Sequence, residues 1–177
     1  MKDFTGDQTV CAPAAGERPD MEQAEPAAAW QADGHSCVEQ ELKRAGRLYG
    51  SGCTCSQAVF CAFAQELGLE EETAYRMMEG FGGGFGALQE VCGAFAAAVA
   101  IISWHTSSGS GDGASKPETY CAVQRAAEIF RQEYGSIRCK EILHGQAPKA
   151  FQCGMKVKDA VLLVRKVLAE RSAAARL

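Results

Sequence analysis

Six glycines fall between Gly80 and Gly93, in the stretch GFGGGFGALQEVCG. A backbone with so few Cβ atoms cannot be held as a regular helix or strand throughout, so the chain has to turn there. The most apolar run of the sequence, VCGAFAAAVAII, overlaps its end. That run is a dozen residues long and rich in Ala, too short to cross a bilayer, and reads as a buried central helix. The glycine run thus fixes where the chain reverses and what it delivers to the core.

Two chemistries use such a loop. Gly82, Gly84 and Ala87 fit the relaxed dinucleotide pattern G-x-G-x-x-G/A. That chemistry needs a buried strand entering the turn, so that the turn and the next helix N-terminus offer N–H groups to a pyrophosphate. The preceding residues, EEETAYRMMEGF, contain no β-branched run and read as helix, and no G-K-[ST] follows. The loop is better explained by Cys92 at its end. Gly82, Gly83, Gly84, Gly86 and Gly93 permit sharp turns and close approach, leaving room for a bulky centre beside that cysteine. The plainer alternative is a flexible helix–helix connection.

Helical signals run through the rest of the chain, with no convincing strand. SCVEQELKRAGRLYG starts at a Ser with Glu three residues on and ends in Gly, the pattern of a capping box and a terminal stop. In TCSQAVFCAFAQELGL, Thr54 can cap, and Val59, Phe63 and Leu67 recur every four residues. EEETAYRMMEG gives a third helix, and a fourth is expected from about Leu88 to His105. Beyond the loop SSGSGDGASK, a fifth starts at Pro117 and stops at Gly135. Ser136 is expected to cap a short helix over IRCKEIL, and the last helix spans about Met155 to Ala173. The fold class that follows is all-α, a compact bundle of about six to seven helices joined by short turns.

At 177 residues the chain suits one domain preceded by an extension. Residues 1–34 are rich in Pro, Ala and acidic side chains without apolar periodicity, and read as a disordered or loosely held segment, with Trp30 able to dock on the domain. The start lacks a basic stretch followed by an apolar one, so no secretory signal is expected and a cytoplasmic location is. The net charge of −4 and the lack of a basic patch exclude nucleic acid as the expected partner.

Nine cysteines are the main anomaly of composition. In an intracellular chain they point to metal binding or redox chemistry more than to a disulfide framework, and the odd number leaves at least one unpaired. Four fall at or near expected helix starts: Cys55 after the Thr54 cap, Cys92 after the glycine run, Cys139 after Ser136, and Cys153 before the last helix. Orphan N–H groups and the positive end of the helix dipole favour a thiolate there, the form that binds metals and attacks disulfides. If those ends converge, their sulfurs make a four-thiolate site suited to zinc or to an iron–sulfur cluster.

The other cysteines read differently. Cys61, inside AVFCAF, reads as core, and Cys121 as core or a neighbour of the site. Cys53, two residues before Cys55, is a spare ligand or a resolving thiol. Cys11 and Cys37 receive no role in the site. His35, His105 and His144 are not paired at helical spacing and read as surface or capping residues. The absence of any C-x-x-C argues against thioredoxin-like chemistry and zinc-ribbon knuckles, and the absence of C-x-x-C-H against covalent haem.

Taken together, GSGCTCSQAVF, FGGGFGALQEVCGAFAA, SIRCKEIL and FQCGMKVKDAVLLV resemble the C_GCAxxG_C_C family of redox-active proteins, over about Leu48 to Leu168. The resemblance implies a small helical protein whose four family cysteines map onto Cys55, Cys92, Cys139 and Cys153. It also implies a likeness to a cytochrome-associated domain with a cysteine-ligated iron–sulfur centre, which favours a cluster over a bare thiol relay. One departure is Ala97, where the family pattern CGAxxG has glycine; slightly wider helix packing is expected there, away from the ligands.

The leading expectation is an electron-transfer or redox-sensing protein that binds a [2Fe-2S] cluster through those four cysteines and serves an unidentified electron partner. The alternatives are a thiol–disulfide oxidoreductase without a metal, with Cys53 as the resolving thiol, and a structural zinc module. An Ala-rich helix could also pack against its copy in a homodimer.

Overall fold

The computed structural model describes residues 34–146, 150–174 and 176. The N-terminal extension, with Cys11 and Trp30, and the loop around Pro148 lie outside the described residues. The helices are α1 (Gly34–Gly50), α2 (Cys55–Ala62), α3 (Glu71–Met78), α4 (Gly82–Phe85), α5 (Gly93–Thr106), α6 (Lys116–Tyr134), α7 (Cys139–Ile142) and α8 (Ala150–Ala174). Among the described residues the only β pairing is an isolated bridge between Val91 and Arg138. The fold is all-α, as the sequence patterns require.

Two short apolar helices form the centre. In α2, Ser56 through Ala62 are all buried. It packs on α5, α1 and α8, while α5 also contacts α6 and α8. Ile101 and Ile102 of α5 are fully buried, each contributing about 2–3 kcal/mol by leaving water. The small side chains of Ala94, Ala97 and Ala98, also fully buried, let neighbouring helices approach. Ala97 sits inside this contact and does not line the cysteine cavity described below.

Local chemistry sets the ends. Thr54 and Gln57 form the capping box of α2: the Thr54 hydroxyl accepts from the Gln57 N–H at 3.2 Å, and the Gln57 side chain accepts from the Thr54 N–H at 3.0 Å. Gly135 closes α6 in the left-handed conformation, φ 74°.

Several expected boundaries move. Helix α1 begins at Gly34, ahead of the expected Ser36 cap, and α2 ends at Ala62, short of Phe63 and Leu67. The fourth long helix begins at Gly93, not Leu88, because Ala87 and Gln89 have φ of 65° and 58°, which no right-handed helix accepts. This segment pairs instead with the entry to α7: the Cys139 N–H donates to the Glu90 carbonyl at 2.6 Å, the Lys140 N–H to the Gln89 carbonyl at 2.8 Å, and the Cys92 N–H to the Ile137 carbonyl at 2.8 Å. Ser136 does not cap α7. Its hydroxyl accepts from the Arg138 N–H at 2.9 Å in a local turn, and Arg138 takes the cap position without a side-chain bond. Finally, α8 starts at Ala150, so Cys153 lies within its first turns.

Candidate functional site

Four separate helix beginnings deliver the cysteines to one place. Cys55 is the first residue of α2, Cys92 the N-cap of α5, Cys139 the first residue of α7, and Cys153 the fourth of α8. All four line a single cavity of about 220 Å³, together with Cys53, Tyr49, Thr54, Gly83, Ile142, Leu143 and Lys156. Cys92 and Cys139 are buried, and Cys55, Cys153 and Cys53 half-buried.

The glycines are fitted around these sulfurs. A Cβ at Gly93 would stand 2.8 Å from the Cys55 sulfur, and one at Gly84 would stand 2.8 Å from Cβ of Cys139. At Gly82 it would run into the Thr54 methyl at 2.5 Å, displacing the cap of the helix that begins with Cys55. Gly83 and Gly84 have φ of 63° and 75°, so the run winds left-handed through the middle of α4. No strand enters the turn; α3 and a 3₁₀ turn over Glu79–Phe81 do. The loop therefore wraps the cysteines, and the context for a pyrophosphate site is missing.

Burial reverses the expected ease of thiol ionisation. Cys92 is pushed up to about 12 by loss of water, although the Phe95 and Ala94 amides at the start of α5 pull the other way. Cys139 is raised by burial and then by the neighbouring Cys153 and Cys55. Cys153 is raised by burial and by Cys55, against the opposing pull of Lys156 and the Tyr49 hydroxyl. Helix N-termini alone do not make these thiols thiolates; a metal that displaces their protons would. Tyr49 in turn is pushed up to about 12 by burial and by Cys153, which keeps its hydroxyl protonated as a donor.

The remaining candidates separate cleanly. Cys61 is fully buried in the core and Cys121 lies on α6; neither lines the cavity. His105 lies 3.1 Å from Glu66, remote from the cysteines in sequence and absent from the lining, as is His144. Among the described residues, Cys37, Glu41 and Glu66 are the one group of three metal-capable atoms within 4.8 Å of each other. The Arg165 guanidinium bonds to both carboxylates and reaches the Cys37 sulfur at 3.6 Å, so the group is an ion-pair hub with its own cation.

Four lining residues were not anticipated from sequence: the apolar Ile142 and Leu143, and Tyr49 and Lys156, which bring polar groups. The available signal was spacing: Lys156 follows Cys153 by three residues, which places both on one helix face.

A family model described as "Putative redox-active protein (C_GCAxxG_C_C)" matches residues 53–167. No curated protein and no solved structure matches the chain. The match covers most of the sequence and every cysteine of the cavity, and the chain belongs to that redox-active family.

Proposed function

We propose that this member of the C_GCAxxG_C_C family is an electron-transfer or redox-sensing protein in which Cys55, Cys92, Cys139 and Cys153 hold a [2Fe-2S] cluster. The observation that carries the reading is that four cysteines from four separate helix beginnings line one shared cavity. Four thiolates are the ligand set of a [2Fe-2S] cluster, and the redox character of the family favours a redox-active metal over zinc, which has no redox chemistry.

When bound, such a cluster supplies reversible one-electron transfer. The chain's own work is to place the sulfurs and keep water away. Four helix starts fix the sulfur positions, Ile142 and Leu143 form an apolar wall, and Tyr49 offers a hydroxyl beside Cys153. Among the described residues no carboxylate or histidine lines the cavity, and no hydrolytic or proton-abstraction chemistry is assigned to it.

Cys53 favours a second reading. It is a fifth thiol in the same cavity, two residues from Cys55. In a dithiol–disulfide cycle two of these thiols would be oxidised to a disulfide while a partner disulfide is reduced to two thiols. Metal content of single Cys→Ser variants separates the two. For a cluster protein, each of Cys55→Ser, Cys92→Ser, Cys139→Ser and Cys153→Ser lowers iron and sulfide together, while Cys53→Ser keeps both. Full iron in both Cys55→Ser and Cys92→Ser would mean the ligands are misassigned.

A further inference from the structure

Lys156 is the only cationic side chain among the described residues that line the cysteine cavity. It is 7% exposed, on the face of α8 that also carries Cys153. Its ammonium donates to the Gln152 carbonyl at 2.9 Å and lies 5.2 Å from the centre of the Tyr134 ring. Among the described residues no carboxylate pairs with it; Asp159, one turn further along α8, accepts the Tyr134 hydroxyl instead. A carbonyl and a ring face orient an ammonium but do not neutralise it, and a buried charge without an opposite charge is costly. The side chain is therefore built for an anion that belongs in the cavity.

The cysteines supply that anion once they hold a metal. Four thiolates around a doubly positive core leave a doubly negative centre. Lys156 lines the same cavity as all four sulfurs, three residues from Cys153 on α8.

We propose that Lys156 is the built-in counter-charge of the cysteine site, selecting for an anionic tetrathiolate centre and holding its reduction potential up. This rests on the reading of the four cysteines as ligands. Reduction adds one electron to the centre and makes it more negative. A fixed cation in a dry cavity stabilises the reduced form more than the oxidised one. Lys156 contributes no ligand atom; it acts on the centre through space.

The test compares full-length wild type, Lys156→Met and Lys156→Arg by three measurements: iron and sulfide content, a spectroelectrochemical titration, and zinc competition on the metal-free protein. In Lys156→Met the reduced-to-oxidised ratio at fixed poise falls about tenfold, a midpoint about 59 mV lower for one electron. Zinc affinity of the same variant falls about tenfold, and Lys156→Arg stays near wild type in both. Should Lys156→Met fail to fold, Lys156→Gln keeps a donor for the Gln152 carbonyl without the charge, and is expected to show the same two losses. Equal shifts in the charged and neutral variants, or no shift in either, overturn the proposal. A wild type without iron overturns the cluster reading alone, because zinc competition still reports on Lys156.

Discussion

Gly93 is packed against Cys55: a Cβ at position 93 would lie 2.8 Å from the Cys55 sulfur and 2.4 Å from the Phe81 carbonyl oxygen. The carbonyl belongs to backbone and cannot swing aside. Gly93→Ala is therefore expected to cost about 1–3 kcal/mol by overpacking and to lower cofactor content. Gly46, inside α1, has nothing within 4 Å of its would-be Cβ. Gly46→Ala should stabilise the fold by about 0.5–1 kcal/mol. Denaturant midpoints of the two variants check both signs.

Thr54 joins the cap of α2 to the glycine loop. Its hydroxyl accepts from the Gln57 N–H at 3.2 Å and meets the Ser56 hydroxyl at 3.0 Å, and its methyl faces Gly82. Thr54→Ala should cost about 1–2 kcal/mol, and Thr54→Ser should recover most of it. Equal loss in both variants would place the effect in the methyl contact and not in the cap.

Cys61 and the cavity cysteines make opposite predictions. Cys61 is fully buried in the core, and burial pushes its thiol up to about 11. Cys61→Ala should retain the cofactor at a stability cost of about 1 kcal/mol. Loss of cofactor from a variant that still melts cooperatively would show Cys61 to be part of the site.

Acid stability should depend on Glu66. Burial alone would raise its carboxyl, but hydrogen bonds from His105 and Arg165 hold it down at about 2. A carboxylate with a lowered native pKa stabilises the fold above its unfolded value of 4.5, and that stability disappears as the pH falls toward 2. Glu66→Gln should therefore be less stable than wild type at pH 7, and the gap should narrow between pH 4.5 and 2. A gap that stays constant across this range contradicts the assignment.

Much of this was legible in the sequence, for local reasons. Thr54 and Gln57, three residues apart, announce the start of α2, and Gly135 the end of α6, because caps and stops depend on neighbours along the chain. The position of Cys55 at a helix start follows from the Thr54 cap and that of Cys92 from the glycine run, whereas Cys139 begins a helix that Ser136 does not cap and Cys153 lies within the first turns of α8. That their cavity is shared could only be conditional on the four ends converging. The expected helix start at Leu88 fails because the backbone partners of Gln89, Glu90 and Cys92, which are Ile137 to Lys140, lie far along the chain. The ionisation of the thiols was misjudged for the same kind of reason: a helix N-terminus is visible locally, whereas the burial that outweighs it at Cys92 comes from the whole bundle. Lys156 carried a spacing signal, yet nothing along α8 discloses that no carboxylate pairs with its charge among the described residues.

The central claim is a cluster held by four thiolates, and its direct test is iron and acid-labile sulfide in protein purified without oxygen, with a visible spectrum before and after reduction. The account predicts about two irons and two sulfides per chain, and a broad visible absorbance that bleaches on reduction. Colourless protein without metal, whose thiols oxidise reversibly, or protein with one zinc per chain, would contradict it.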